Sequence, residues 1–367
     1  MTISKLDRRS FIKTAGLVTA GGAAATALAT PAISQEMREL KMVTTWPKNF
    51  PGLGTGAQRV ADRITAASGG RITVKLYAAG ELVPPFESFD AVSSGTADMY
   101  HGAEYYWQGK HKAFNFFTAV PMGLTANELD AWVNFGGGQE LWDELSAEFG
   151  VKSFMAGNTG VQMGGWFRKE INSLEDMKGL KMRMPGLGGE VLRRIGATAV
   201  ALPGGEIFPS LQSGAIDATE WVGPWNDLAF GFYKVAKFYY WPGFHEPGAG
   251  LALGMNKSIW ESFDAADKAL IAACCAQENN TMYSEYNAKN GAALAELTDK
   301  HGVQLREFPE EVFAGFAKYS EEVLDETADT DIGRRVLESF RSARTEIGSW
   351  GSIAEQAYVT ARTKSLG

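Results

Sequence analysis

Two cysteines in 367 residues, adjacent at Cys274 and Cys275, are too few for a disulfide framework. Neighbours in one helical stretch are badly placed to pair with each other, so both read as small core-facing residues. Histidine is nearly as scarce. His101, His111, His245 and His301 are scattered, and no two have the helical spacing of paired metal ligands. The chain also lacks a Gly-x-Ser-x-Gly elbow and a Walker-type loop. Its glycine clusters PGLGTG and PGLGGE miss the dinucleotide-binding spacing, and FGGGQELW sits in a helical pattern as a kink or cap. With no nucleophile–base pair to name, the chain reads as a binder and not an enzyme. Positive charge is short as well: 35 Lys and Arg against 43 Asp and Glu give a net charge of −8. That balance argues against nucleic acid as a partner.

What is present begins with an address. DRRSFIK (Asp7–Lys13) is an arginine pair followed by Ser, Phe and a basic residue, and a weakly apolar Ala/Gly/Thr run follows it. PAIS (Pro31–Ser34) then presents small residues where a signal peptidase reads. Residues 1–34 therefore read as a twin-arginine export signal, and the run is too short and Gly-rich for a permanent anchor. Removing them leaves 333 residues with a net charge near −11, a length that suits two domains. No second apolar run of spanning length follows, so the mature chain is expected to be soluble and periplasmic.

LKMVTTW, TGAQRVADRITAAS and RITVKLYAAG read as strand, amphipathic helix and strand, the order of a parallel α/β unit. GLKMRMPG, GEVLRRIGA and TAVAL repeat that alternation, and from about Ile259 to Ala361 the period is helical, with breaks at Gly302 and Pro309. One internal echo is informative: FDAVSSGTAD (Phe89–Asp98) and FPSLQSGAID (Phe208–Asp217) align without gaps. Each reads as a helix end, a Ser-Gly cap, then a strand entered through an Asp. Two lobes thus share a unit, and their divergent tails, MYHGAEYYW and ATEWVGPW, fall at carboxyl ends of strands, where open α/β sheets bind ligands. The expected cleft is lined by Tyr105, Tyr106, Trp107, Glu220, Trp221 and Trp225.

Three side chains there bear chemistry. Arg183 alternates with Lys181 at the end of a strand and offers a bidentate fork to a carboxylate, although a solvated strand-end charge fits equally. Gln162, in GNTGVQMGGW, is a neutral oxygen ligand or a satisfied core amide. Glu220, set against tryptophans, is a surface salt bridge unless something buried pairs it.

SLEDMKGLKMRMPG, ALPGGEIFPSLQSGAIDATEW and VPMGLTANELDAWVNFGGGQELWDEL resemble the periplasmic solute-binding subunits of tripartite ATP-independent periplasmic (TRAP) transporters. The likeness is to the branch that binds 2-oxo acids such as pyruvate, and it covers essentially the whole mature chain. It implies an α/β, two-lobed periplasmic solute-binding fold of type II-like design, with a hinge between lobes and a helical C-terminal region. The first lobe would hold residues 35–160 plus about 250–285, and the second 161–249 plus about 286–367 with the C-terminal helices. By the same resemblance Arg183 binds the ligand carboxylate, and Gln162, Glu220 and Trp221 (through its carbonyl) bind a metal ion, sodium foremost and calcium as the alternative. Tyr105 or Tyr106 donates a hydroxyl, and Asn158, Gln162 and Trp221 complete the ligand contacts. The stretch YWPGFHEPG departs from the aromatic residue expected near His245. Partners would be the membrane permease and a second copy, exchanged through a C-terminal helix; packing of that helix within its own chain is the alternative.

A 2-oxo acid presents a carboxylate and a keto oxygen that chelate a hard cation, and such cations take oxygen ligands. Arg183, Glu220, sodium and a monocarboxylate sum to zero charge, whereas a dicarboxylate leaves −1 and calcium leaves +1. Small aliphatic tails would face Phe208 and Trp225. A 2-hydroxy acid such as lactate, a dicarboxylate or a sulfonate stays open as ligand, and an exported oxidoreductase is the competing reading.

Overall fold

The structure, a computed structural model, describes residues 37–366; the export leader lies outside the described residues. The first alternation folds as expected. β1 (Arg38–Thr44) and β2 (Ile72–Tyr77) pair in parallel, joined by helix Leu53–Ala67. That helix buries a 3.6-residue stripe, Val60, Ala61 and Ile64 against the sheet and Leu53 and Ala57 in the cluster that reaches the second sheet.

β3 (Met99–Gly102), β4 (Val151–Asn158) and β10 (Gly250–Asn256) complete a five-stranded sheet in the order β2-β1-β3-β10-β4. The second sheet has six strands. These are β5 (Gly165–Phe167), β6 (Lys181–Arg183), β7 (Thr198–Val200), β8 (Ala218–Thr219), β9 (Phe238–Trp241) and β11 (Gln304–Glu307), in the order β11-β9-β5-β8-β6-β7. Both sheets are mixed: β10 runs antiparallel to β3 and β4, and β5 to β8 and β9.

The internal echo has a physical reason. In both sheets its aspartate clamps the neighbouring parallel strand. Asp98 accepts the Lys41 N–H at 2.7 Å and donates its own N–H to the Lys41 carbonyl at 3.0 Å. Asp217 does the same with Lys181, at 3.1 and 2.7 Å. A two-way clamp sets the strand register, so both sheets deliver their next residues to the same kind of place.

The chain passes between sheets along 158–165 and 241–250, and these crossings lie side by side. The Gln162 N–H donates to the Glu246 carbonyl, and Gly243 N–H to the Gln162 carbonyl, each at 3.1 Å. Helix Ala265–Asp299 ties both bodies together, and at 1.5 Å per residue its 35 residues run about 52 Å. Ile271, Cys274 and Cys275 pack into the first-sheet core, while Met282, Tyr286 and Leu297 join the cluster around Trp166 and Tyr239. Both cysteines are free and buried. Midway, Glu278 is fully buried between the guanidinium groups of Arg59 and Arg63.

Two expectations need correction. The region after Ile259 is not all helix: between Gly302 and Pro309 lies β11, pairing in parallel with β9. A four-residue strand has too short a period to read beside long helices. The C-terminal helices also do not all join the second body. Helix Glu310–Asp325 packs on helix Gly186–Ile195, but helix Asp331–Ile353 packs on Ala126–Phe135 and Gly138–Ala147 of the first. Trp132 Nε1 donates to Ser339 Oγ at 3.0 Å there, and the Phe116 and Phe340 rings meet at 5.0 Å. Long amphipathic helices show which face is buried but not which body receives it.

Candidate functional site

β6 and β8 are adjacent and parallel, with Arg183 in register with Thr219, so the next residue, Glu220, leaves β8 beside the guanidinium. The Arg183 N–H donates to Glu220 Oε1 in a direct ion pair, and Arg183 and Glu220 side chains are 1 % and 0 % exposed. Arg183 further donates to the carbonyls of Leu202 (3.2 Å) and Glu220 (3.3 Å) and to the Tyr106 hydroxyl (3.4 Å). Burial disfavours the charge on Arg183, but Glu220, Tyr106 and Tyr105 outweigh it, and its pKa rises. The solvated strand-end reading of Arg183 and the surface salt-bridge reading of Glu220 are both excluded by this burial.

The two crossings bring a second group of ligands to the same point. Gln162 Nε2 donates to Glu246 Oε2 at 2.7 Å, and His245 Nε2 stands 3.3 Å from Glu220 Oε2. Donor atoms of Glu220, His245 and Glu246 all lie within 4.8 Å of one another, and all three residues are buried. Burial and then the Glu220 carboxylate push the Glu246 pKa well above the usual range, against the pull of Arg183.

Several atoms here are buried without a hydrogen-bond partner: Gln162 Oε1, Glu220 Oε2, and both ring nitrogens of His245. Such atoms are costly unless something satisfies them. A hard cation with oxygen ligands fits that donor set, with His245 as an added nitrogen.

Of the residues singled out in the sequence, the structure brings Arg183, Glu220, Gln162, Trp221, Tyr105 and Tyr106 together. Trp221 stands edge-on to Trp46 (6.2 Å) and Phe50 (6.1 Å), and the Arg183 guanidinium lies 5.2 Å from its ring centroid. Asn158 is buried nearby, but its Oδ1 accepts the Gly160 N–H at 2.8 Å and shapes the crossing. Trp107 packs on Phe89 and Tyr100 inside the first-sheet core, and Trp225 on Tyr286 at 5.3 Å, so neither reaches the cleft. Phe208 packs into the second cluster and is likewise not part of the cleft wall. Sequence reasoning missed His245 and Glu246 because it sought metal ligands at helical spacing, and these sit on a loop. Trp46, Leu53 and Leu251 were also missed, being indistinguishable from core residues until the two sheets meet.

A profile of the family described as DctP, bacterial extracellular solute-binding protein family 7, matches residues 42–331. The chain belongs to this family. It is 40% identical over 358 residues to the monocarboxylate 2-oxoacid-binding periplasmic protein of Nostoc sp., covering 96% of this chain and 98% of that one. A TRAP solute-binding protein from Bordetella bronchiseptica, a dimer with calcium and picolinate in one site, superposes with a TM-score of 0.88 at 33% identity. That match covers 90% of this chain and 98% of the other. Another, from Pseudoalteromonas atlantica with sodium and pyruvate, gives 0.86 at 38% identity, covering 89% and 99%. Family and fold are those of TRAP solute-binding receptors, which are extracytoplasmic and not enzymes. Among the described residues, no helix is long and apolar enough to cross a membrane.

In this family member the two cleft tyrosines stand on a short helical turn, Glu104–Trp107, opened by a buried carboxyl. The Tyr100 hydroxyl donates to Glu104 Oε1 at 2.6 Å, and Glu104 N–H to Thr118 Oγ1 at 2.6 Å. Desolvation raises the Glu104 pKa to about 8, against the pull of Tyr100 and Ser153. Between about pH 4.5 and 8 the native state therefore keeps a proton that the unfolded chain has released, so this group's contribution to stability falls as pH rises. Denaturant unfolding of wild type and Glu104→Gln at about pH 5 and pH 8 checks this. The wild type's stability relative to the variant should decline between the two, and a difference independent of pH would contradict it.

Proposed function

We propose that this protein is the receptor of a TRAP transporter for a short 2-oxo monocarboxylate, pyruvate being the type, bound together with sodium or calcium and delivered to the membrane permease. The observation that carries the reading is the buried Arg183–Glu220 pair with its unsatisfied neighbours, Gln162 Oε1 and Glu220 Oε2. Arg183 and Tyr106 would receive the ligand carboxylate; Gln162, Glu220, Glu246 and the Trp221 carbonyl would hold the ion, with His245 beside them. The sodium–pyruvate protein at 38% identity and the calcium–pyruvate protein of Colwellia psychrerythraea, also 38% identical, support it.

The third carboxylate alters the charge count. With Glu246 protonated, Arg183, Glu220, sodium and a monocarboxylate sum to zero; with Glu246 ionised, calcium restores neutrality. Either ion thus has a neutral arrangement with a monocarboxylate; a dicarboxylate is left uncancelled by sodium in both states of Glu246 and is neutralised only by calcium with Glu246 protonated. The cleft is lined by Trp46, Trp221 and the two tyrosines, aromatic walls that lower the local dielectric and strengthen each of these interactions.

The lobes of the solute-binding fold correspond in this reading to the two sheet bodies, with the crossings 158–165 and 241–250 as hinge. Export through the twin-arginine route rests on the Arg8–Arg9 leader. Dimerisation through the last helix rests on Glu355–Leu366 being exposed along its length, with Trp350, Ile353, Tyr358, Val359 and Leu366 open to solvent. A helix this short is marginal without packing, and a second copy can cover it; the Bordetella relative is a dimer.

Calorimetric titration of pyruvate into metal-stripped protein should show little binding until sodium or calcium is restored. Arg183→Ala and Glu220→Ala should each weaken binding by at least about a hundredfold, in line with roughly 3–5 kcal/mol for breaking a buried charge pair. Metal-independent, unweakened binding in Glu220→Ala contradicts the reading. Replacing Arg8 and Arg9 by lysine should leave precursor in the cytoplasm, and deleting residues after 354 should convert dimer to monomer by analytical ultracentrifugation.

A further inference from the structure

The cleft has two chemically different sides. Every charged group in it, Arg183, Glu220 and Glu246, stands on the second sheet or on the crossing that leaves it. Among the described residues the first-sheet body contributes no charge to the lining: besides the two tyrosines it supplies Trp46, Leu53 and Leu251, with Ala249 at the end of the crossing next to them. The cavity between these walls is about 10 Å³, room for roughly one water-sized particle. Even the shortest 2-oxo acid therefore enters only as the two walls part, and each further tail atom adds to what the apolar side chains must yield.

Those side chains are held from behind. Trp46 Nε1 donates to His101 Nδ1 at 2.8 Å, and His101 Nε2 lies 3.1 Å from the Ala156 carbonyl, so the indole cannot swing without losing a buried hydrogen bond. Leu53 follows Gly52, whose φ of +70° suits glycine and where a Cβ would lie 2.6 Å from the Tyr286 hydroxyl. Pro51, just before, gives its carbonyl to Asn226 Nδ2 at 3.0 Å. The start of that helix is thus pressed onto the long helix and cannot retreat. Leu251 sits at an irregularity of register: Gly250 faces Asn158 and Ala252 faces Met155, so Ala156 and Gly157 together oppose this one leucine. Bulges of this kind fix the aim of a side chain beside a site. Behind it, a Cβ on Gly157 would meet Met282 Cε at 2.7 Å.

We propose that Trp46, Leu53 and Leu251 form a rigid gauge for the ligand's tail, restricting this receptor to the shortest 2-oxo acids, while the second-sheet body grips the carboxylate and ion. The inference rests on the 2-oxo acid reading above and adds the specificity-determining residues to it. It replaces Phe208 and Trp225, which the sequence suggested for this wall. A longer acid would be gripped by its head yet hold the two bodies apart by its tail.

Pyruvate, 2-oxobutyrate and 4-methyl-2-oxovalerate are titrated by calorimetry into mature protein loaded with calcium, and again with sodium. Wild type should weaken along that series. Leu251→Ala and Leu53→Ala should each raise the affinity for 4-methyl-2-oxovalerate relative to pyruvate by about tenfold or more, since the freed space accepts two to three methylene-sized groups. Ala249→Val, filling the same space, should penalise 2-oxobutyrate more than pyruvate. Circular dichroism confirms folding, and Leu251→Val and Leu53→Val carry the test in smaller steps if the alanine variants unfold. If wild type binds pyruvate and no variant shifts the ratio, the gauge is overturned while the receptor reading stands. If wild type binds none of the three acids with either ion, both fall.

Discussion

The ion pair between Arg183 and Glu220 is the constraint around which the molecule is arranged. Both side chains are almost wholly withdrawn from water, and removing two charges from solvent is expensive unless their partners are complete. Arg183 is nearly complete, through Leu202, Glu220 and Tyr106, whereas Glu220 keeps one oxygen without a hydrogen bond. The pair is therefore held firmly in place and still incomplete enough to take a ligand. Strand register makes it possible: β6 and β8 lie side by side with Arg183 opposite Thr219, and the Asp217 clamp on Lys181 holds them there.

A cleft between two sheets needs connections that keep it aligned. The crossings at Gln162 and Glu246 are hydrogen-bonded to each other through backbone and side chains, so the ion-binding candidates stand on the joint itself. The helix Ala265–Asp299 crosses the same boundary, with Glu278 locked between Arg59 and Arg63 on the first-sheet side and Tyr286 bonded to Asn226 on the other. In the proposed reading, an ion held by both crossings would interact differently if they separated, and binding there would couple ligand to the relative placement of the two bodies.

The division of the cleft into a charged side and an apolar side gives a receptor two independent criteria. Carboxylate and keto oxygens are read by charge and chelation, which discriminate strongly because an unmatched buried group is costly. Tail length is read by packing, which discriminates more weakly for each methylene and therefore needs walls that do not yield. The backing of Trp46 by His101, and of Gly52, the residue before Leu53, by Tyr286, meets that need.

Period and punctuation in the sequence disclosed the α/β alternation, the duplicated Ser-Gly-Asp unit, the buried cysteines and the dearth of catalytic groups. These depend on contacts within a few residues or on residue type alone. Motif resemblance pointed to Arg183, Gln162, Glu220 and Trp221, and identified the class of molecule. Tertiary structure alone decided that Arg183 and Glu220 face each other across 37 residues, and that Trp107 and Trp225 turn away. It also decided that His245, Glu246, Trp46, Leu53 and Leu251 join the site, and that the C-terminal helices divide between two bodies. The reason is physical: a cleft between sheets is made of residues distant in sequence, and an apolar side chain lining it has the same local signature as one in the core.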